Sequence, residues 1–85
     1  MDNGNLQVNE LAENYLEKLF YFCLRKTGDT YEAEDLTSDI LLSVLTALKR
    51  GIVPDSFNAY VWKIARNRYS LWVKRKHIRL ENMNG

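Results

Sequence analysis

Apolar residues recur at three- and four-residue steps in three stretches of this chain, and nowhere do they alternate with the period of two that marks a strand. That pattern predicts an all-α fold of three helices. In the first stretch Leu11, Ala12, Tyr15, Leu19, Phe22 and Cys23 line one face of a helix over residues 9–26, with Asn9 as the expected N-cap and Gly28 as the stop. Asp29, followed three residues later by Glu32, resembles a capping box and opens a second helix over residues 31–49, which Gly51 ends. The loop Arg50-Gly-Ile-Val-Pro-Asp55 holds the only proline. Asp55 or Ser56 then caps a third helix, from about Phe57 to His77 or slightly beyond. The expected organisation is a flexible lead (residues 1–8), one helical domain (residues 9–79) and a flexible tail (residues 80–85).

Eighty-five residues allow one small domain with a modest core. The polar start lacks the basic and apolar regions of a signal peptide. The longest apolar run, Leu19 to Leu24, is far too short to span a bilayer, so no membrane role and a cytoplasmic location are expected. The lone Cys23, set among Leu19, Phe20, Phe22 and Leu24, reads as a core residue of a reducing compartment.

The net charge of +1 conceals two opposite halves. Residues 1–45 hold nine acids and three bases; residues 46–85 hold nine bases and two acids, and from Phe57 to Leu80 there are seven bases and no acid. Halves of opposite sign suggest two partners, with an anionic polymer facing the basic half.

On the second helix, Leu36, Ile40, Leu41, Val44, Ala47 and Leu48 form the apolar side, while Asp35, Ser38, Asp39, Leu42 and Thr46 lie opposite. A leucine among acids has the anatomy of a docking patch for a basic partner. The blander reading is a solvated face with an incidental leucine.

On the third helix, Phe57, Tyr60, Val61, Ile64, Leu71 and Ile78 form the apolar face. Lys63, Arg66, Asn67, Ser70, Lys74 and His77 share the opposite one. That strip is roughly 20 Å long at about 1.5 Å per residue, enough to meet several backbone phosphates. Trp62, Tyr69 and Val73 run beside it, and the aromatics either stack on unpaired bases or pack on the first helix. His77 has no second metal ligand at helical spacing and no acid nearby to orient it, and nothing resembles a glycine-rich phosphate loop, a nucleophile elbow or a two-carboxylate hydrolase site. Neither a metal, a cofactor nor an enzyme activity is expected.

The segments Gly28-Asp29, Ala33-Glu34-Asp35-Leu36-Thr37, Ile40-Leu41-Leu42, Tyr60-Val61-Trp62-Lys63-Ile64-Ala65-Arg66-Asn67 and Lys74-Arg75-Lys76 together resemble conserved region 2 of the extracytoplasmic-function group of bacterial RNA polymerase sigma factors. The resemblance covers about residues 11–79. It implies a small three-helix bundle of the sigma region 2 kind that binds core RNA polymerase and recognises and melts the promoter −10 element. Glu34, Asp35, Ser38, Asp39 and Leu42 are the implied contacts to the β′ coiled coil. Lys63, Arg66, Asn67, Ser70, Lys74, Trp62 and Tyr60 are those implied for the non-template single strand. The loop over residues 51–57, with Asn67 nearby, is the implied pocket for a flipped base. An anti-sigma factor is a further partner that such a resemblance admits.

Two departures stand out. Ser38-Asp39 replaces the longer Gln-Glu common in the family, and the family's usual tryptophan position is Tyr60, with Trp62 two places on. The family's second, helix-turn-helix domain, which reads the −35 element, is not within these 85 residues. A reading from another class is a non-transcriptional helical module whose basic helix binds RNA or an acidic protein.

Overall fold

The stripe Leu11, Tyr15, Leu19 and Cys23 repeats every four residues, so it stays on one side of a helix and must be covered. In the computed structural model, which describes the backbone of residues 3–84 and the side chains of residues 9–81, these four face the buried residues Ala33, Leu36, Ile40 and Val44 of a second helix and Val61 and Ala65 of a third. The helices are α1 (Asn3–Thr27), α2 (Thr30–Lys49) and α3 (Phe57–Asn84), and the described residues include no strand. The all-α, three-helix expectation is met.

The turns follow from local chemistry. Gly28, at φ 71°, donates its N–H to the Leu24 carbonyl at 2.8 Å and closes α1 in the left-handed conformation that glycine adopts without strain. Asp29 caps α2 by accepting from the Tyr31 N–H at 3.0 Å. Only half of the expected capping box forms: the Asp29 N–H donates to the Thr27 hydroxyl, and Glu32 reaches Lys76 instead. At the end of α2, Gly51, at φ 89°, donates to the Leu48 carbonyl and Ile52 to that of Ala47, the paired bonds of a Schellman motif. Of the two expected caps for α3, Ser56 is the one used; its hydroxyl accepts from the Ala59 N–H at 3.2 Å.

Both outer boundaries differ from expectation. Asn9 is not an N-cap but lies inside α1, exposed, where an asparagine turned to water is tolerated in mid-helix. With no proline or helix-stopping turn ahead of it, α1 begins at Asn3, within the segment expected to be a flexible lead. Likewise α3 runs to Asn84, seven residues past His77 rather than slightly beyond it, because no proline or glycine interrupts it. Residues 1, 2 and 85 of the expected flexible ends lie outside the described residues.

Helix α2 packs closely on both neighbours. Helices α1 and α3 meet largely through aromatic rings: Tyr15 stands edge-on to Phe57 (centroids 5.6 Å apart), and Phe22 edge-on to Trp62 (5.6 Å) and Tyr69 (6.3 Å). The Tyr15 hydroxyl donates to Asn58 Oδ1 at 2.9 Å. The pairings Asp39–Arg68 and Glu32–Lys76 run in opposite chain directions, so α2 and α3 are antiparallel. The molecule is elongated, 54 × 23 × 18 Å, and every described side chain of α3 from Lys74 onward is exposed.

Candidate functional site

Covering one face of α2 against α1 and α3 leaves the opposite face to solvent. Ala33, Leu36, Thr37, Ile40 and Val44 turn inward; Glu34, Asp35, Ser38, Leu42 and Thr46 turn outward, with Leu42 exposed at 64%. The outward set is the one expected from sequence, with one shift. Asp39 sits on the flank towards α3, half-buried, where its two carboxylate oxygens accept from Arg68 Nε at 2.7 Å and Nη2 at 2.9 Å. These hydrogen bonds push the Arg68 pKa up further, against the opposing effect of partial burial. Around the pair, Asp35, Leu36, Trp72 and Arg75 line a small groove between the helices.

The acidic surface is wider than the second helix alone. Glu13 and Glu17 of α1 and Glu34 and Ser38 of α2 line an open groove of about 700 Å³ whose apolar walls are Ala12, Leu16, Phe20 and Leu41. Leu16 is 47% exposed there. The negative first half of the chain is the sequence signal for this groove.

On α3 the inward residues Val61 and Ala65 leave Lys63, Arg66, Asn67, Ser70 and Lys74 on the far side, as the spacing predicts. Lys63, Arg66, Lys74, Arg75 and Arg79 have no acid within ion-pair distance among the described residues, whereas Arg68 and Lys76 are paired. Trp62 and Tyr69 take the second of their two expected settings, packed on Phe22 of α1. Lys26 sits over the Phe22 and Tyr69 rings at 5.8 and 5.4 Å. Tyr60 is half-buried and shares a groove with Leu42, Ser43, Thr46, Ala47, Arg50 and Ile52, which joins one expected contact of each face. Asn67 lies apart from that loop-side groove.

Sequence reasoning missed Arg68 and Trp72. Arg68 was legible in principle: at 100° per residue it falls between Phe57 and Val61, on the inward side, where a guanidinium needs an acid. Trp72 stacks on Tyr69 at 6.1 Å and carries Lys76 Nζ 4.9 Å from its ring centroid.

No group of three or more histidine, cysteine or acidic side chains placed to hold a metal ion occurs among the described residues, and no helix among them is long and apolar enough to cross a membrane. The arrangement is one of surfaces: an acidic, leucine-bearing face on α1 and α2 and a basic strip on α3. A family model described as Sigma-70 region 2 matches residues 11–78. No curated protein and no solved structure matches the chain.

Proposed function

Because the chain belongs to the sigma-70 region 2 family, whose members bind RNA polymerase and recognise promoters, we propose that it is the −10-reading domain of an extracytoplasmic-function sigma factor. In this reading α2 docks on the β′ coiled coil of core polymerase, α3 holds the non-template single strand of the −10 element, and the domain works in the cytoplasm. The observation that carries the reading is the placement of an outward acidic face and an outward basic strip on one antiparallel helix pair, so that two partners of opposite charge are held without competing.

Glu34, Asp35 and Ser38 supply the polar part of the docking face, one to two turns ahead of the exposed Leu42, its apolar part. Asp39 adds charge from the flank while it braces Arg68. Lys63, Arg66 and Lys74 take backbone phosphates and Ser70 adds a hydrogen bond; such contacts fix register without reading sequence. Asn67 both donates and accepts, so it reads a base edge. Tyr60, half-buried beside the loop, offers a ring edge to an unstacked base. Trp62 acts from behind by seating α3 on Phe22.

The test is strand choice. With core polymerase present, the domain should bind a single-stranded −10-like oligonucleotide about tenfold or more tightly than the duplex of the same sequence, as stacking on an unpaired base contributes about 1–3 kcal/mol. Equal affinity for the two forms overturns the melting role.

A further inference from the structure

Two surfaces of this molecule are complementary to each other yet cannot meet within one chain. The first is the groove between α1 and α2. Leu16, Phe20 and Leu41 give it an apolar floor, and Glu13, Glu17 and Glu34 give it a negative rim. The second is the end of α3. Leu71 and Ile78 stand seven residues apart on one edge, 39% and 58% exposed, flanked by Lys74, Arg75 and Arg79, which have no acidic partner among the described residues. Lys26, near the end of α1, lies over Tyr69, and Lys76 reaches Glu32 in the first turn of α2, so α3 beyond Lys76 continues past the turn that joins α1 to α2. It therefore points away from its own groove.

The dimensions agree. From Ala12 to Phe20 the groove runs about 12 Å along α1, and from Leu71 to Ile78 the helix edge is about 10 Å long at about 1.5 Å per residue. An amphipathic helix laid in such a groove buries its apolar edge while its cations meet the rim.

We propose that the groove takes the end of α3 of a second copy of this chain, so that the free domain self-associates through a contact between unlike surfaces. Such a contact closes a dimer when two copies exchange helix ends and extends to larger species when they do not. It covers the acidic groove and the end of the basic helix together. Neither surface needs any other ligand for this contact to form.

Sedimentation equilibrium on the full chain tests it. At about 0.1 M salt, where the screening length is about 10 Å, the weight-average mass should rise with concentration above the 10.0 kDa of one chain. At about 1 M salt, where that length is about 3 Å, it should fall back towards that value. Glu17→Lys and Arg79→Glu, both at exposed positions, should each remain at the single-chain mass. An equimolar mixture of the two should recover association, because the lysine introduced in one variant then faces the glutamate introduced in the other. A wild-type mass that stays at one chain at every concentration overturns the proposal. Association that persists in both variants also overturns it, since the contact would then lie elsewhere. Polymerase and DNA play no part in the measurement, so its failure leaves the sigma-factor reading intact.

Discussion

Arg68 of α3 holds Asp39 of α2 with both arms of its guanidinium, at 2.7 and 2.9 Å, and so ties the helix of the acidic face to the helix of the basic strip. The two side chains are 27% and 36% exposed, so water screens the pair and its contribution is about 0.5–1 kcal/mol. Arg68→Ala and Asp39→Asn should each lower the melting temperature by a few degrees, about 4–8 °C per kcal/mol at this size. The double variant should lose little more than either single one, and additive losses would show that the pair does not act as a unit. Asp39→Arg would set two guanidinium groups together, so its effect on polymerase binding would mix docking with helix packing. Glu34→Arg, at an exposed position in the groove lined by Glu13, Glu17 and Ser38 and away from Arg68, probes docking alone.

Tyr15 spans α1 to α3 by a ring contact with Phe57 and a hydroxyl bond to Asn58. Tyr15→Phe keeps the first and removes the second. The expected loss is about 0.5–1.5 kcal/mol in urea unfolding with an unchanged m-value. A loss near zero would mean that water replaces the bond without penalty.

Cys23 is fully buried, and burial, opposed by a weaker hydrogen-bond influence from Thr37, pushes its thiol pKa up. The folded state thus favours the neutral thiol. That stability is present below the unfolded value of about 8.5 and is lost as pH rises through and above it. Labelling by a thiol reagent at about pH 7 should be slow and should accelerate in step with urea unfolding, since only the thiolate of an accessible cysteine reacts. Rapid labelling of the folded protein would contradict the burial.

Lys63, Arg66 and Lys74 should act alike and Asn67 differently. Each lysine or arginine changed to alanine should weaken binding to all single-stranded sequences and lower the salt slope by about 0.7. Asn67→Ala should leave the slope nearly unchanged and flatten the preference among −10 variants. If a fully folded Asn67→Ala protein keeps its preference, the base-reading role is wrong.

The sequence revealed elements better than their edges and faces better than flanks. The four-residue stripe of α1 and the inward set Leu36, Ile40 and Val44 of α2 were readable because burial imposes helical periodicity directly. The outward residues Lys63, Arg66, Asn67, Ser70 and Lys74 followed as their complement. The start of α1 at Asn3 was not readable, since Asn9 carries the same side chain whether it caps a helix or faces water from within one. Trp62 was ambiguous for a related reason: its position on the helix lies between the inward and outward sides, and only the placement of Phe22 decides which way the ring packs. The Asp39–Arg68 pair needed the antiparallel register of α2 and α3, which local pattern does not contain.

Binding to core RNA polymerase tests the sigma-factor reading most directly. Titration of labelled domain with core enzyme should give saturable binding. Glu34→Arg should weaken it about tenfold or more, because the variant places a cation on the outward acidic face of α2. Lys63→Glu, on the outward side of α3, should leave polymerase affinity unchanged. Absence of binding by the wild-type domain, or equal affinity for the wild type and Glu34→Arg, would contradict the assignment of α2 as the docking face.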